Sequence, residues 1–190
     1  GRLPQRPITA YLRELTKKGV TFDYHNTMPF TIDGKLRSGV FELEGDVSSQ
    51  YVTGLLFALP LLDGDSEIRM LSKLESKPYV DLTIACLRHF GIAVQETEQG
   101  YAVAGGQQYH ACDLTVEGDY SQAAFFCVAN ALGSDITLTN LNPESVQGDK
   151  KIVEIVREMC YNREQGLPAG FTVDAADIPD LVPILAVLAT

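Results

Sequence analysis

The sequence predicts an α/β protein in which one supersecondary unit occurs more than once. Short apolar runs of strand length alternate with longer runs that have helical periodicity. Their order is β-α-β-α-β-β, and that order begins again in the second half of the chain. Hydrophobic residues make up 45% of the 190 positions, which is enough to form the core of one domain or of two small ones.

Helices are predicted where apolar residues recur every three or four positions after a capping residue or a proline. Glycines at positions 19, 91 and 133 end three of them, since glycine readily takes the left-handed conformation that follows a helix. The second helix ends at Pro60. The predicted helices begin at or near Pro7, Ser48 or Ser49, Pro78, Ser121, Asp149 (as a cap) and Leu181.

Strands are predicted where short apolar or β-branched runs stand between turn residues. Residues 92–95 and 101–104 are expected to pair as a hairpin about Gly100. The polar stretch 105–112 is interpreted as a crossover, with a second domain beginning near Gly118. The predicted strands are residues 20–24, 30–33, 40–43, 67–71, 92–95, 101–104, 114–117 and 136–139.

Charge and cysteine usage narrow the class of protein. The net charge is −10, which argues against nucleic acid or an anionic membrane as the main partner. Cys86 and Cys127 fall in apolar helical runs and no CxxC is present, so free thiols and a cytoplasmic location are expected. The apolar runs 55–62 and 181–189 are too short to span a bilayer, and no signal peptide is visible. The chain lacks an initiator Met and stops inside an apolar run, so we interpret it as an excised piece of a longer protein.

Four predicted helix starts carry short polar residues, and three of them include serine. A helix N-terminus has unpaired backbone N–H groups and partial positive charge, and a serine hydroxyl adds a donor. Several such ends together would form a site for a phosphorylated small molecule. The simpler interpretation of each one alone is a helix cap. The four starts lie at Asp46–Gln50, Ser76–Tyr79, Gly118–Ser121 and Asp177–Asp180.

Other side chains allow two interpretations. Lys77 is either a surface charge or a cation beside a helix end, and Arg6 is either exposed or a paired donor to a carboxylate or phosphate. Only one of Asp177 and Asp180 can cap the helix at Leu181, and Pro179 stiffens the turn between them. The sequence has no His or Cys pair with metal-ligand spacing, no GxGxxG, no Walker loop and no GxSxG.

In this order, the four motifs resemble the EPSP synthase family. They are Asp46-Val-Ser-Ser-Gln-Tyr-Val-Thr-Gly-Leu-Leu, Ser76-Lys-Pro-Tyr-Val-Asp-Leu-Thr, Glu117-Gly-Asp-Tyr-Ser-Gln-Ala-Ala-Phe-Phe and Asp177-Ile-Pro-Asp-Leu-Val-Pro. The resemblance implies transfer of the enolpyruvyl group of phosphoenolpyruvate to the 5-hydroxyl of shikimate 3-phosphate, with release of phosphate. It implies small-molecule substrates, no metal or organic cofactor, and a monomer.

The resemblance also assigns roles to residues. Ser48, Ser49 and Ser76 match residues that hold shikimate 3-phosphate, chiefly its phosphate, and Tyr79 matches a residue beside the ring. Gln50 matches a residue between both substrates.

Arg6 matches an arginine that binds phosphoenolpyruvate. Asp180 matches the aspartate that binds the ring hydroxyls and acts as proton acceptor.

The fold implied is the inside-out α/β barrel of the enolpyruvyl transferase type, built from β-α-β-α-β-β units and incomplete in this chain. Residues 1–117 correspond to the later part of the domain that binds shikimate phosphate. Residues 118–190 correspond to the early part of the second barrel domain.

The chain departs from the family pattern in several places. The N-terminal lysine motif, the glycine-rich loop, the Lys-Glu motif and the Asn-Asp-His-Arg motif are not in it, so we expect the isolated 190 residues to be inactive. Residues 159–171 differ from the family, and contiguity near residues 161–166 is in question. Two alternatives stay open: a relative of UDP-N-acetylglucosamine enolpyruvyl transferase, and a non-catalytic fragment that binds substrate.

Overall fold

The computed structural model describes residues 3–166 and 172–190, which form two compact units. Unit 1 comprises Gly1–Glu75 and Thr83–Cys112, and unit 2 comprises Ser76–Leu82 and Asp113–Thr190. The predicted domain boundary between residues 117 and 118 stays a prediction. Part of the atypical stretch 159–171 lies outside the described residues.

Unit 1 contains a four-stranded mixed sheet in the order β3-β4-β6-β5. Strands β3 and β4 are parallel and are joined by helix α2, whereas β6 is antiparallel to both β4 and β5. A separate antiparallel pair, β1 and β2, follows α1. The bounds are α1 Thr9–Lys17, β1 Val20–Asp23, β2 Thr31–Gly34, β3 Val40–Leu43, α2 Ser49–Ala58, β4 Ser66–Met70, α3 Lys77–His89, β5 Gln95–Thr97 and β6 Gly100–Val103.

The order from β3 to β6 is the predicted β-α-β-α-β-β unit. Inward-facing residues of the strands are fully buried, as alternation predicts: Phe41 and Leu43 on β3, Ile68 on β4 and Tyr101 on β6. Val52 and Leu56 of α2 also have no exposed surface. This burial supplies the main stabilising term of unit 1.

The hairpin is shifted from its predicted position. The turn lies at residues 98 and 99, and β5 begins at Gln95 rather than at Ile92. Ile92 donates its N–H to Leu87 at the end of α3 instead. The side-chain amide of Gln107 bonds both the N–H and the C=O of Ala93, at 2.8 and 3.0 Å. These bonds occupy the backbone groups that a longer strand would have used.

Glycine ends α3 as predicted. Gly91 has φ +83°, its N–H bonds the carbonyl of Arg88, and Ile92 bonds the carbonyl of Leu87. This is a Schellman motif, in which a left-handed residue turns the chain and satisfies the last carbonyls of the helix. Gly133 ends α4 with the same bonding pattern.

A buried glutamate attaches α1 to the edge strand β3. Glu14 is 1% exposed, and its carboxylate accepts hydrogen bonds from Arg13 and Lys17 at 2.8 Å and from the N–H of Glu42 at 3.1 Å. Arg13 also pairs with Glu44. Burial disfavours the charge of Glu14, but these hydrogen bonds outweigh it, so the pKa of its carboxyl is lowered.

In the described part of unit 2, helices α4 Tyr120–Ala131, α5 Ile152–Glu164 and α6 Val182–Leu188 pack around one apolar core. The first residues of α3 also belong to this unit. Ala124, Ile152 and Leu181 have no exposed surface and pack together with Val128 and Ile178. Asp119 caps α4, because its side chain accepts hydrogen bonds from the N–H groups of Ser121 and Gln122.

Two predicted strands of unit 2 are wrong for the described chain. No β-ladder forms at residues 114–117 or 136–139. Isolated hydrogen bonds link the two segments near their ends, such as that from the N–H of Gly118 to the carbonyl of Asn140 at 2.7 Å. The side chain of Asn130 bonds both backbone groups of Ile136 at 2.8 Å. Val116 is 79% exposed. A strand requires a neighbour along its whole length, and local sequence pattern does not report whether one is present.

Across the described ranges, no helix is long and apolar enough to cross a membrane. Cys86 and Cys127 are free and half-buried, in agreement with their predicted place in apolar helical runs.

We predict that Glu14→Gln destabilises unit 1 by about 2 kcal/mol at pH 7, the scale of a buried hydrogen-bonded charge. The pKa of Glu14 is lowered in the fold, so its stabilising contribution is present above about pH 4.5 and is lost as the pH falls through the lowered pKa. Urea unfolding followed by circular dichroism measures the free energy. The exposed Glu98→Gln is the control. If the difference in free energy of unfolding between the wild type and Glu14→Gln is as large at pH 3 as at pH 7, this account is contradicted.

We also predict that Asp119→Ala lowers the free energy of unfolding of unit 2 by about 1 kcal/mol, and that Asp119→Asn lowers it by a few tenths. Both variants remove the charge, but only asparagine keeps an acceptor for the first N–H groups of α4. The same urea experiment tests this. Equal losses in the two variants would show that the charge, rather than the cap, stabilises the helix.

Candidate functional site

In unit 1 the predicted serines lie at the N-terminus of α2. Ser48 has an extended backbone and is the N-cap, and its hydroxyl oxygen accepts the N–H of Gln50 at 3.3 Å. The cap uses this oxygen as an acceptor, so the hydroxyl proton remains to be donated. Ser49 is the first helical residue, half-buried, and Gln50 is exposed beside it. This helix end therefore offers hydroxyl and backbone donors to an anion.

Arg6 belongs to the same unit and is exposed. The next residue, Pro7, accepts a short hydrogen bond from the hydroxyl of Tyr51, which lies in the first turn of α2. The carbonyl of Tyr51 in turn accepts the hydroxyl of Tyr11 at 2.9 Å. These two bonds bring the segment that bears Arg6 to the helix end that bears Ser48, Ser49 and Gln50.

In unit 2 a cavity of about 430 Å³ brings Tyr79 and Asp180 onto one wall. Tyr79 is half-buried and Asp180 is exposed. Burial chiefly raises the pKa of this phenol, and the charges of Asp149 and Asp180 raise it further. The lining residues are Pro78, Tyr79, Leu82, Val116, Glu117, Asp119, Ser121, Gln147, Gly148, Asp149 and Asp180.

Ser76 also belongs to unit 2 and precedes α3. Its φ is +57°, a left-handed conformation that is uncommon for a residue with a side chain. Its N–H donates to the carbonyl of Ala176 at 3.1 Å, which holds this conformation. Lys77 pairs with Asp81 one turn further on, at 2.6 Å. A strained residue held by tertiary bonds is typical of functional positions.

Sequence reasoning missed Asp149. It was predicted to cap a helix, but it lies inside a 3-10 turn, Gly148–Lys151, and is 2% exposed. Its Oδ2 accepts the hydroxyls of Tyr79, at 3.2 Å, and of Ser121, in a short bond. The pair Gly148-Asp149 before an apolar helical run has the appearance of an ordinary N-cap, so nothing in the sequence distinguished it.

The cap predicted at Asp177 or Asp180 is also wrong. A 3-10 turn, Pro179–Leu181, precedes α6, and no side chain caps either element. Asp180 lies within this turn and is the N-cap of neither element. It is therefore available at the cavity.

The carboxylates shape the electrostatics of this cavity. Burial and the nearby charges of Asp149 and Asp180 raise the pKa of Tyr79, so the phenol stays protonated at neutral pH. Burial also raises the pKa of Asp149, against hydrogen bonds from Ser121 and Tyr79 that lower it. Acidic neighbours make the wall unsuited to an anion and suited to ligand hydroxyl groups.

Glu117 has a structural role at the rim. Its carboxylate accepts the side chains of Gln147 and Asn142, at 2.8 and 2.9 Å, and of Ser145 in a short bond. These donors lower the pKa of Glu117. The network fixes the loop that carries Asp149. Within residues 3–166 and 172–190, no group of three or more His, Cys, Asp or Glu side chains is placed to hold a metal ion.

The sequence and the structure were compared with known proteins. The family model described as EPSP synthase (3-phosphoshikimate 1-carboxyvinyltransferase) matches residues 1–190. A relative from Clostridium novyi named 3-phosphoshikimate 1-carboxyvinyltransferase is 43% identical over 199 aligned residues, which cover 99% of this chain and 46% of the relative. A protein of the same name from Clostridium kluyveri is 42% identical and is covered to 47% of its length.

A solved structure of EPSP synthase from Acinetobacter baumannii superposes with a TM-score of 0.63 at 25% identity. The superposition covers 83% of this chain and 35% of that one. The predicted fold class, an incomplete α/β fold of the enolpyruvyl transferase type, is confirmed. The chain spans about half the length of the curated relatives that it matches. With a family match along its whole length, the chain belongs to the EPSP synthase family.

Proposed function

We propose that a protein containing this chain transfers the enolpyruvyl group of phosphoenolpyruvate to the 5-hydroxyl of shikimate 3-phosphate, and that it does so as a cytoplasmic monomer. The observation that carries this proposal is the pairing of Tyr79 and Asp180 on one cavity wall, in a chain of the EPSP synthase family. The relatives carry the name of this activity. Because the chain spans about half of their length, the activity is proposed for the longer protein.

Shikimate 3-phosphate carries a phosphate and a ring with hydroxyls, and the chain offers a different chemistry for each part. Ser48 and Ser49 present donors at the start of α2, which suit the phosphate. The family resemblance extends this role to Ser76. Tyr79 and Asp180 present an aromatic ring and acceptors, which suit the hydroxylated ring.

Arg6 and Gln50 are proposed to bind phosphoenolpyruvate. The guanidinium of Arg6 is exposed, and a planar fork of N–H donors matches a carboxylate or phosphate. Tyr51 ties the segment of Arg6 to the first turn of α2, where Gln50 is exposed. An amide beside both substrates can donate to one and accept from the other.

Asp180 is proposed to be the proton acceptor. The 5-hydroxyl must lose its proton as its oxygen bonds to the enolpyruvyl carbon. The bond between that carbon and the phosphate oxygen breaks, and phosphate leaves. A carboxylate that caps no helix and lies at the cavity wall is free to accept that proton. The neutral phenol of Tyr79 lies beside this carboxylate on the same cavity.

For the phosphate, we predict that Ser48→Ala, Ser49→Ala and Ser76→Ala each weaken binding of shikimate 3-phosphate by about 1–2 kcal/mol, the scale of a hydrogen bond to a charged group. Isothermal titration on the longer protein measures this, with the exposed Ser134→Ala as control. Binding of unphosphorylated shikimate should change much less. Unchanged affinity in all three variants would remove the phosphate role from these serines.

For the proton acceptor, Asp180→Asn should lower kcat by about 100-fold or more, the usual contribution of a general base. The free energy of unfolding should stay within about 0.5 kcal/mol, because Asp180 is exposed and caps no helix. Asp177→Asn, an exposed aspartate three residues earlier, should keep wild-type turnover. Normal kcat in Asp180→Asn would exclude the proposed role.

A further inference from the structure

Asp149 is the one carboxylate of the unit 2 cavity wall that is almost completely buried, with 2% of its surface exposed. Its two oxygens differ. Oδ2 accepts hydroxyl protons from Tyr79 and Ser121, whereas Oδ1 is buried and has no hydrogen-bond partner among the described residues. An unpartnered buried carboxylate oxygen is costly, so this arrangement calls for an explanation.

Two simple explanations do not fit. Asp149 does not cap α5, because it lies inside the 3-10 turn that precedes this helix and makes no cap bond. It is not part of a metal site either, since no suitable group of three acidic, His or Cys side chains occurs in the part of the chain that the structure describes.

The contacts instead show that Asp149 accepts hydrogen bonds from side chains of two other elements. Tyr79 comes from α3, Ser121 from α4, and Asp149 from the turn before α5. All three line the same cavity as Asp180. Gly148 allows the close approach, because a Cβ there would lie 2.7 Å from the Cβ of Pro78.

We propose that Asp149 is a positioning residue, which fixes the hydroxyl groups of Tyr79 and Ser121 as hydrogen-bond acceptors on the wall that bears Asp180. This proposal rests on the proposed function, because it assigns the wall to a substrate with hydroxyl groups.

The polarity of the wall follows from proton counting. A hydroxyl has one proton, and those of Ser121 and Tyr79 are committed to carboxylates. Toward a ligand, each of these two oxygens can therefore act only as a hydrogen-bond acceptor. With Asp180, the wall offers acceptors, which favour a ligand face rich in O–H donors over an anionic group.

The charged groups around Asp149 are consistent with this arrangement. Asp119 precedes α4 and Asp180 precedes α6, and both oppose ionisation of Asp149, as burial does. The hydrogen bonds from Ser121 and Tyr79 favour the ionised form. Asp149 is thus held by hydrogen bonds from the two hydroxyls.

The first arm of the test uses the longer protein without substrate. Carbon-13 labelling of the tyrosine Cζ atoms, followed by NMR at pH 7, reports the hydrogen bond that the Tyr79 hydroxyl donates. Asp149→Ala should shift the Tyr79 Cζ signal, because the hydroxyl loses this acceptor, and Asp149→Asn should shift it much less, because an amide oxygen can replace the carboxylate. The exposed Asp135→Asn should leave the signal unchanged.

The second arm uses the longer enzyme and measures carboxyvinyl transfer. Asp149→Ala should lower kcat/KM by about 10- to 100-fold, since two hydroxyls lose their acceptor. Asp149→Asn keeps an acceptor in the same place and should recover activity to within about 3-fold of wild type. The matched Asp135→Asn should show wild-type kinetics.

The arms separate the two proposals. A wild-type longer enzyme without transfer activity would overturn the proposed function, while the NMR arm would still decide whether Asp149 holds Tyr79. An unchanged Tyr79 Cζ signal in Asp149→Ala would overturn the positioning role. So would wild-type kinetics in Asp149→Ala, or an asparagine variant as inactive as the alanine variant.

Discussion

A net charge of −10 constrains where this chain can bind an anionic ligand. Lysine and arginine total 15 against 25 acidic residues, so a phosphate must find concentrated donors. The start of α2 provides them, because a helix N-terminus has unpaired N–H groups and Ser48 and Ser49 add hydroxyls. The attachment of the Arg6 segment to the same helix end through Tyr51 adds a cation to the donors.

The wall of unit 2 has the opposite character. It collects Asp119, Asp149 and Asp180 around a neutral tyrosine, and it offers acceptors. The proposed substrate, shikimate 3-phosphate, carries a phosphate and a ring with hydroxyls. The phosphate requires hydrogen-bond donors, and the hydroxyls can donate to acceptors.

Two buried carboxylates show how the same group can take different roles. Glu14 has donors on both oxygens, two of them cationic, and its pKa is lowered, which is typical of a group that stabilises the fold. Asp149 has donors on one oxygen and acidic neighbours, and its pKa is raised. A carboxylate held in this second way, beside a cavity, fits a role in function better than a role in stability.

The sequence predicted those features that depend on local chemistry. The β-α-β-α-β-β order, the cap at Ser48 and the glycine at the end of α3 all follow from residues within a few positions of one another. The strands at 114–117 and 136–139 were wrong, because pairing depends on a distant neighbour.

Asp149 was misassigned for the same reason. Its partners Tyr79 and Ser121 are 70 and 28 residues away, and its position before a helix resembled a cap. Asp180 had the correct predicted location at a helix start, but the 3-10 turn that frees it from capping is not visible in the sequence. The proposed roles of Arg6, Gln50 and the serines come from family resemblance, and the structure gives their local chemistry.

A crystal structure of the longer protein with shikimate 3-phosphate bound tests the proposed binding mode most directly. The account predicts phosphate oxygens within about 3 Å of the hydroxyls of Ser48, Ser49 and Ser76, and ring hydroxyls that donate to Asp180. A phosphate bound away from these serines, or a ring that leaves the wall of Tyr79 and Asp180 unoccupied, would contradict it.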